Sequence, residues 1–290
     1  MNAGPVSVWL QERWPAYIWS NATVREACFH EVAILAPDVV GRVSCHGEQP
    51  ERVHREHQVL SALEGVTLPY ALPHNLSGVV TAGGRTGMLT TYVAGGNGDD
   101  ASWDDVVRSI ETVLSALWAV DKAGVQTLPP PRSWCGGAAW PGIVADRLLP
   151  RLPLDLRPLA RDVVSSVVEQ EKDGGQYFVH GDFGPHNLRW KGTRVVGIID
   201  LDHACMGDPA IDLAALISFF GADQVGQIVD SRTLDRAMIH RASLTLQLAA
   251  AAELVGDAGL AAHALRNFIA RSRAGTLHDP GGRRPVGGRG

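Results

Sequence analysis

The chain has 290 residues, enough for two lobes of ordinary domain size or for one large domain. With 45% hydrophobic and 20% charged residues it has the composition of a soluble globular protein, and a net charge of −5 argues against one that lives on nucleic acid or an anionic membrane. Its four cysteines, Cys28, Cys45, Cys135 and Cys205, are scattered without a CxxC pair, which suggests neither a disulfide framework nor a zinc site and makes a reducing cytoplasm the natural home.

The first fifteen residues lack a basic region followed by an apolar stretch, so no signal peptide is expected. Runs 29–35 and 39–45 are rich in Val and Ile and flank the turn signal Ala36-Pro37-Asp38, which predicts a β-hairpin. Residues 51–63 follow at roughly helical spacing, and 79–81 and 87–93 predict two further strands around Gly83-Gly84. Gly95-Gly96-Asn97-Gly98 looks like a flexible break. Beyond it the pattern turns helical. Segment 101–120 opens with Ser102 and Asp105, close to a capping box, and repeats Val106, Ile110, Val113, Leu114 and Leu117 on one face. The prolines at 129–131 make 129–137 a loop. Residues 157–172 predict one amphipathic helix and 233–271 about two more. Apolar windows 213–221 and 246–254 are too short to span a bilayer. The Gly/Arg-rich stretch 274–290 is expected to be a disordered, solvated tail.

Chemistry concentrates between these helices. Tyr177-Phe178-Val179 leads into His180-Gly181-Asp182, and Asn187 follows; Val195–Ile199 then leads into Asp200, with Asp202 just beyond. Each apolar run predicts a buried strand ending on a polar residue, which sets carboxylates at strand ends facing a cleft. Phosphoryl transfer needs a group that orients a hydroxyl, metal ligands for a triphosphate, and charge compensation on its oxygens. Mg²⁺ takes hard oxygen donors and usually only one or two carboxylates. Asp182, Asn187 and Asp200 meet these needs, and the Asp182-to-Asn187 spacing reproduces the D-x-x-x-x-N loop of protein kinases.

Together with Gly207-Asp208-Pro209 and Asp212-Leu213-Ala214, these segments resemble the aminoglycoside phosphotransferase family over about residues 20–220. The resemblance implies an α+β, protein-kinase-like two-lobe fold, with a small β-rich, nucleotide-binding N-lobe (1–93) and a larger helical C-lobe (94–273) that carries the catalytic loop and acceptor site. It implies ATP and Mg²⁺ as cofactors, Asp182 as catalytic base, and Asn187 and Asp200 as metal ligands. His180 and Asp212 are implied supports of the loop. Arg42 and Glu56 resemble the strand cation and helix glutamate that pair behind the phosphates, with Arg where kinases carry Lys. Residues 89–93 would be the hinge, Thr91 and Val93 meeting the nucleotide. A second departure is that 21–29, where a Gly-rich loop belongs, contains no glycine.

The implied acceptor is a small hydroxylated molecule, often a cationic antibiotic, either an aminoglycoside or a basic peptide. Asp202, Asp208, Asp230, Asp235 and Glu253 are the candidate carboxylates for it. His186 could approach substrate, but an exposed loop histidine is the plainer reading. For Trp103, Trp118, Trp134 and Trp140, packing is preferred over lining a cleft. A metabolic kinase of the same fold (acting on choline, homoserine or a thiosugar) would keep every catalytic residue and change only the acceptor pocket. A catalytically silent nucleotide-binding module or a metal-dependent hydrolase fits the residues less well. A monomer or weak dimer without nucleic-acid or membrane partners is expected.

Overall fold

The computed structural model describes residues 4–26, 29–44, 50–98, 102–172 and 174–286. Cys28 and Cys45 lie outside these residues; Cys135 and Cys205 are free and buried. The first lobe is a five-stranded antiparallel sheet in the order β1-β2-β3-β5-β4, made of β1 (Thr23–Glu26), β2 (His30–Leu35), β3 (Val39–Ser44), β4 (Val80–Ala82) and β5 (Arg85–Thr91). The expected hairpin is β2–β3, in a register that sets Val32 opposite Arg42 and Ile34 opposite Val40. Strand alternation then divides β3: Val39 and Val43 face one way and are fully buried, while Val40 and Arg42 face the other.

The face carrying Val39 and Val43 is covered by α1 (Pro5–Arg13) and Trp19, an element that the sequence reading did not assign. Its signal was present, because Val6, Trp9 and Leu10 stand at helical spacing behind a proline at the first turn. Gly41 allows the fit, since a Cβ there would meet Leu10 Cδ1 at 2.8 Å.

On the opposite face lies α2 (Pro50–Leu63), whose Val53, Val59, Leu60 and Leu63 join the main core with the buried stripe of α3 (Trp103–Trp118). At the start of α3 the Ser102 hydroxyl donates to the Asp105 carboxylate at 2.6 Å, so this pair bonds side chain to side chain instead of capping the backbone. Residues 95–98 are no flexible break. Gly96 and Trp190 exchange backbone hydrogen bonds, and a Cβ at Gly98 would overlap the Trp190 ring; the glycines serve close approach.

The helical lobe adds α4 (Trp140–Ile143), α5 (Arg157–Gln170), α6 (Ala210–Phe220), α7 (Ala222–Val225), α8 (Ser231–Leu254) and α9 (Ala258–Arg273). It also holds two two-stranded antiparallel sheets: β6 (Tyr177–Val179) with β9 (Cys205–Gly207), and the hairpin β7 (Leu188–Lys191) with β8 (Arg194–Ile198). The loop at 129–137 contains a short 3-10 turn over Ser133–Cys135. Among the described residues no helix is long and apolar enough to cross a membrane.

The expectation of a solvated tail is overturned from residue 274 to at least 283. Leu277 and Asp279 are buried, and Arg241 donates to the carbonyls of Thr276 and Leu277 at 2.8 and 2.7 Å. Asp279 Oδ1 accepts from Ala222 N at 2.7 Å, capping α7. Gly and Arg content suggested solvation, but Leu277 and Asp279 are buried and Arg283 pairs with Asp223 at 2.9 Å, which docks the segment. Asp279→Ala should lower stability by about 1–2 kcal/mol, read as a lower Tm; a loose tail would leave Tm unchanged.

Candidate active site

The apolar run of β6 ends at His180, where the chain turns into the catalytic loop. Asp212, on the first turn of α6 and fully buried, receives both amides of that turn: Gly181 N donates to Oδ1 at 2.8 Å and His180 N to Oδ2 at 3.1 Å. Burial pushes the Asp212 carboxyl up to about 6, against the two amide hydrogen bonds that favour its ionised form. Gly181 has φ +86°, and a Cβ there would collide with the His203 carbonyl, so both backbone and space require glycine.

His180 works through both ring nitrogens. Asp182 N donates to Nδ1 at 3.2 Å, which makes Nδ1 the acceptor and leaves Nε2–H to donate to the Ile199 carbonyl at 2.8 Å. The imidazole thereby joins the loop to the strand end that carries Asp200. Next along the chain, Phe183 is fully buried and anchors the loop in the core.

Asp182 itself stays accessible, its side chain 42% exposed. Asn187 Nδ2 donates to the Asp182 carbonyl at 2.9 Å and to Oδ2 at 3.1 Å. Burial works against the Asp182 charge, yet nearby His186, with Nε2 at 3.7 Å, and the neighbouring His203 and His180 hold its carboxyl below the usual range. Its ionised state suits a group that accepts a proton from a hydroxyl.

Asp200 follows β8 at φ 62°, ψ 57°, a left-handed conformation that a residue with a Cβ pays about 1–3 kcal/mol to adopt. Ile199 N is fixed to the Asn187 carbonyl at 2.9 Å, which brings the two expected metal ligands to adjoining backbone. Because Asn187 Nδ2 is engaged with Asp182, its Oδ1 is the atom left for a cation. One carboxylate and one amide oxygen are hard donors of the kind Mg²⁺ takes, with water and phosphate completing the shell. Among the described residues no cluster of three or more His, Cys, Asp or Glu side chains forms a metal cage.

The expected pair behind the phosphates is present as a three-membered network. Arg42 Nε donates to Glu56 Oε2 at 2.7 Å, and its terminal nitrogen donates to Asp200 Oδ1 at 2.6 Å. Burial disfavours the Arg42 charge, but Glu56 and Asp200 outweigh it and hold the guanidinium protonated. The network closes the polar end of a cleft of about 460 Å³ whose apolar wall is Val32, Ile34 and Val40. Thr91 and Val93 line it too. The Thr91 amide, however, donates to the His74 carbonyl at 2.9 Å and its hydroxyl accepts from His74 N, so it has no N–H to offer a base edge.

Most of the carboxylates proposed for the acceptor have other partners. Asp202 is buried and accepts from Arg52 at 2.7 Å; burial opposes its charge, but His203 and Arg52 hold it far below the usual range. Asp208 is 1% exposed, accepts from Arg236 at 2.8 Å and takes the Ala210 amide at the start of α6. Asp230 caps α8 through Thr233 N at 2.9 Å, and Glu253 pairs with Arg151. Asp235 is half-buried on the first turns of α8. Asp202 and Asp208 are thus corrected from acceptor ligands to structural ion pairs.

In this region Arg52 and Trp190 had no assigned role, and Trp134 was expected to pack. Arg52 bridges α2 to Asp202 and lies 3.8 Å above the Phe29 ring. Trp134 stacks on His203 with ring centroids 4.1 Å apart, while Trp103 and Trp140 are buried. Trp190 Nε1 donates to the Pro185 carbonyl at 3.1 Å, tying the catalytic loop to the glycine-rich linker. Arg52 and Trp134 had no sequence signal beyond their type, since their partners Asp202 and His203 are distant in the chain. Asp202→Asn should cost about 3–5 kcal/mol of stability by leaving Arg52 buried and unpaired, with acceptor KM unchanged; a rise in KM without a loss of Tm would return Asp202 to the acceptor surface.

The chain matches the family model described as the phosphotransferase enzyme family over residues 32–265. It is 27% identical over 267 residues to viomycin phosphotransferase of Streptomyces vinaceus, covering 81% of this chain and 88% of that one. Among solved structures it is similar to APH(2")-IIIa in complex with GDP and kanamycin, with TM-score 0.73 and 16% identity over 93% of this chain and 98% of that one. A thermostable mutant of APH(4)-Ia, in a ternary complex with ADP and hygromycin B, superimposes with TM-score 0.63 and 15% identity over 94% and 99% of the two chains. The chain therefore belongs to the aminoglycoside phosphotransferase family of phosphotransferase enzymes and has its kinase-like fold.

Proposed function

We propose that this phosphotransferase moves the γ-phosphoryl group of ATP to a hydroxyl of a small basic antibiotic. The observation that carries the chemistry is the loop in which Asp182 and Asn187 are bonded to one another and Asn187 is bonded through its carbonyl to Ile199, next to Asp200. In this reading Asp182 Oδ aligns the acceptor hydroxyl and takes its proton as the oxygen–phosphorus bond forms and the bond to the ADP oxygen breaks. Asn187 Oδ1 and Asp200 would hold Mg²⁺, which supplies charge compensation on the phosphates. Arg42, braced by Glu56, is placed to offer donors to phosphate oxygens, and its forked guanidinium can replace the more usual lysine there. Because the loop is held by Asp212 and His180, alignment is built in before substrate arrives.

An antibiotic acceptor is supported by the viomycin phosphotransferase relative and by neighbours solved with kanamycin and hygromycin B. A second reading, a metabolic kinase of the same fold, is favoured by one observation: Asp202 and Asp208 are committed to arginines and do not face a polycation.

ADP release from Mg·ATP should be measured with viomycin, kanamycin, gentamicin and hygromycin B, beside choline, homoserine and a thiosugar. We expect a basic antibiotic to stimulate release and to gain one phosphoryl group by mass spectrometry. Asp182→Asn should lower kcat by about 10²–10⁴-fold. Stimulation by a metabolic alcohol alone would establish the second reading. Replacing Asp200 by Asn should raise the Mg²⁺ concentration needed for half-maximal rate; an unchanged Mg²⁺ dependence would remove Asp200 from the metal site.

A further inference from the structure

We propose that the exposed face of Phe219, braced against His186, is the platform on which a cationic group of the acceptor rests, so that Phe219 is a specificity-determining residue; this rests on the phosphotransfer reading above. Helix α6 is buried along most of its length, from Asp212 to Ile217, yet Phe219 near its end is 53% exposed. Its ring centroid lies 5.3 Å from that of His186, tilted by 37°. His186 Nε2 in turn lies 3.7 Å from Asp182 Oδ2. An apolar ring facing solvent is thus only one side chain removed from the proposed base.

Gly184 provides a second, independent observation. Its φ of −107° is open to any residue, so backbone freedom does not require glycine here. Space does: a Cβ would meet Phe219 Cε2 at 2.8 Å and would strike the His186 ring. The catalytic loop is cut back at this point to let both rings lie against it.

The chemistry of the occupant follows from what surrounds the shelf. Four of the five carboxylates expected to bind a cation are committed to arginines or to a helix start, as described above. The negative face of an aromatic ring, beside the ionised Asp182, is a remaining way to hold an ammonium or guanidinium near the base. Such a contact changes affinity by about 2- to 30-fold, from exposed to desolvated geometry.

The test is calorimetric binding of viomycin and of kanamycin to the ADP-saturated protein, with initial rates, for wild type and for Phe219→Ala, Phe219→Leu and Phe219→Trp. Tm is followed for each variant. We expect Ala and Leu to weaken antibiotic binding and raise acceptor KM by about 2- to 30-fold with ATP KM unmoved, and Trp to bind at least as well as wild type. Leu binding as wild type does would overturn the proposal by showing plain apolar contact, as would four identical affinities. Should the Ala variant fail to fold, the ranking of Leu against Trp decides alone. If wild type binds and phosphorylates none of the four antibiotics, the antibiotic reading fails and the platform falls with it, whereas turnover by wild type with unchanged variants removes the platform only.

Discussion

One buried carboxylate holds the catalytic geometry together. Asp212 takes the two amides of His180 and Gly181, which would otherwise be unpaired donors in the core at the point where β6 turns into the loop. A turn held in this way cannot rotate without stranding a charge among the apolar residues of α6. His180 then carries the constraint across to Ile199, and the buried Phe183 fixes the next residue. Asp182 is left pointing outward from a rigid base, so its exposure and its order coexist.

A second layer of constraint runs between the lobes. Arg42 leaves the sheet on the same face as Val40, passes Glu56 of α2 and reaches Asp200. Arg52, one turn earlier on α2, reaches Asp202. Two arginines therefore fasten the sheet and its helix to the two carboxylates that follow β8. Breaking either leaves a buried charge, while making both sets the height of the cleft in which a nucleotide would lie. The left-handed backbone at Asp200 separates the two carboxylates, sending one toward the cleft and the other into the protein.

Acidic residues near the catalytic segment looked alike in the sequence and proved different in space. Asp208 and Asp202 neutralise arginines in the interior, Asp230 starts a helix, Asp200 lines the cleft, and Asp182 stays accessible on its loop. These interior aspartates hold the fold, and beside the loop Phe219 stands exposed against His186.

What the sequence determined by itself was local. The β2–β3 hairpin, the stripe of α3, the strand ends at His180 and Asp200 and the Asp182-to-Asn187 loop all depend on residues within a few positions of one another, where spacing and side-chain type suffice. Helix α1 was legible in the same way and was passed over. Tertiary structure decided the rest because the deciding partner lies far along the chain. Arg52 meets Asp202 across 150 positions, and Asp279 meets Ala222 across 57. Burial and pairing, which turn an aspartate from a ligand into a strut, are properties of the folded neighbourhood; composition carries neither.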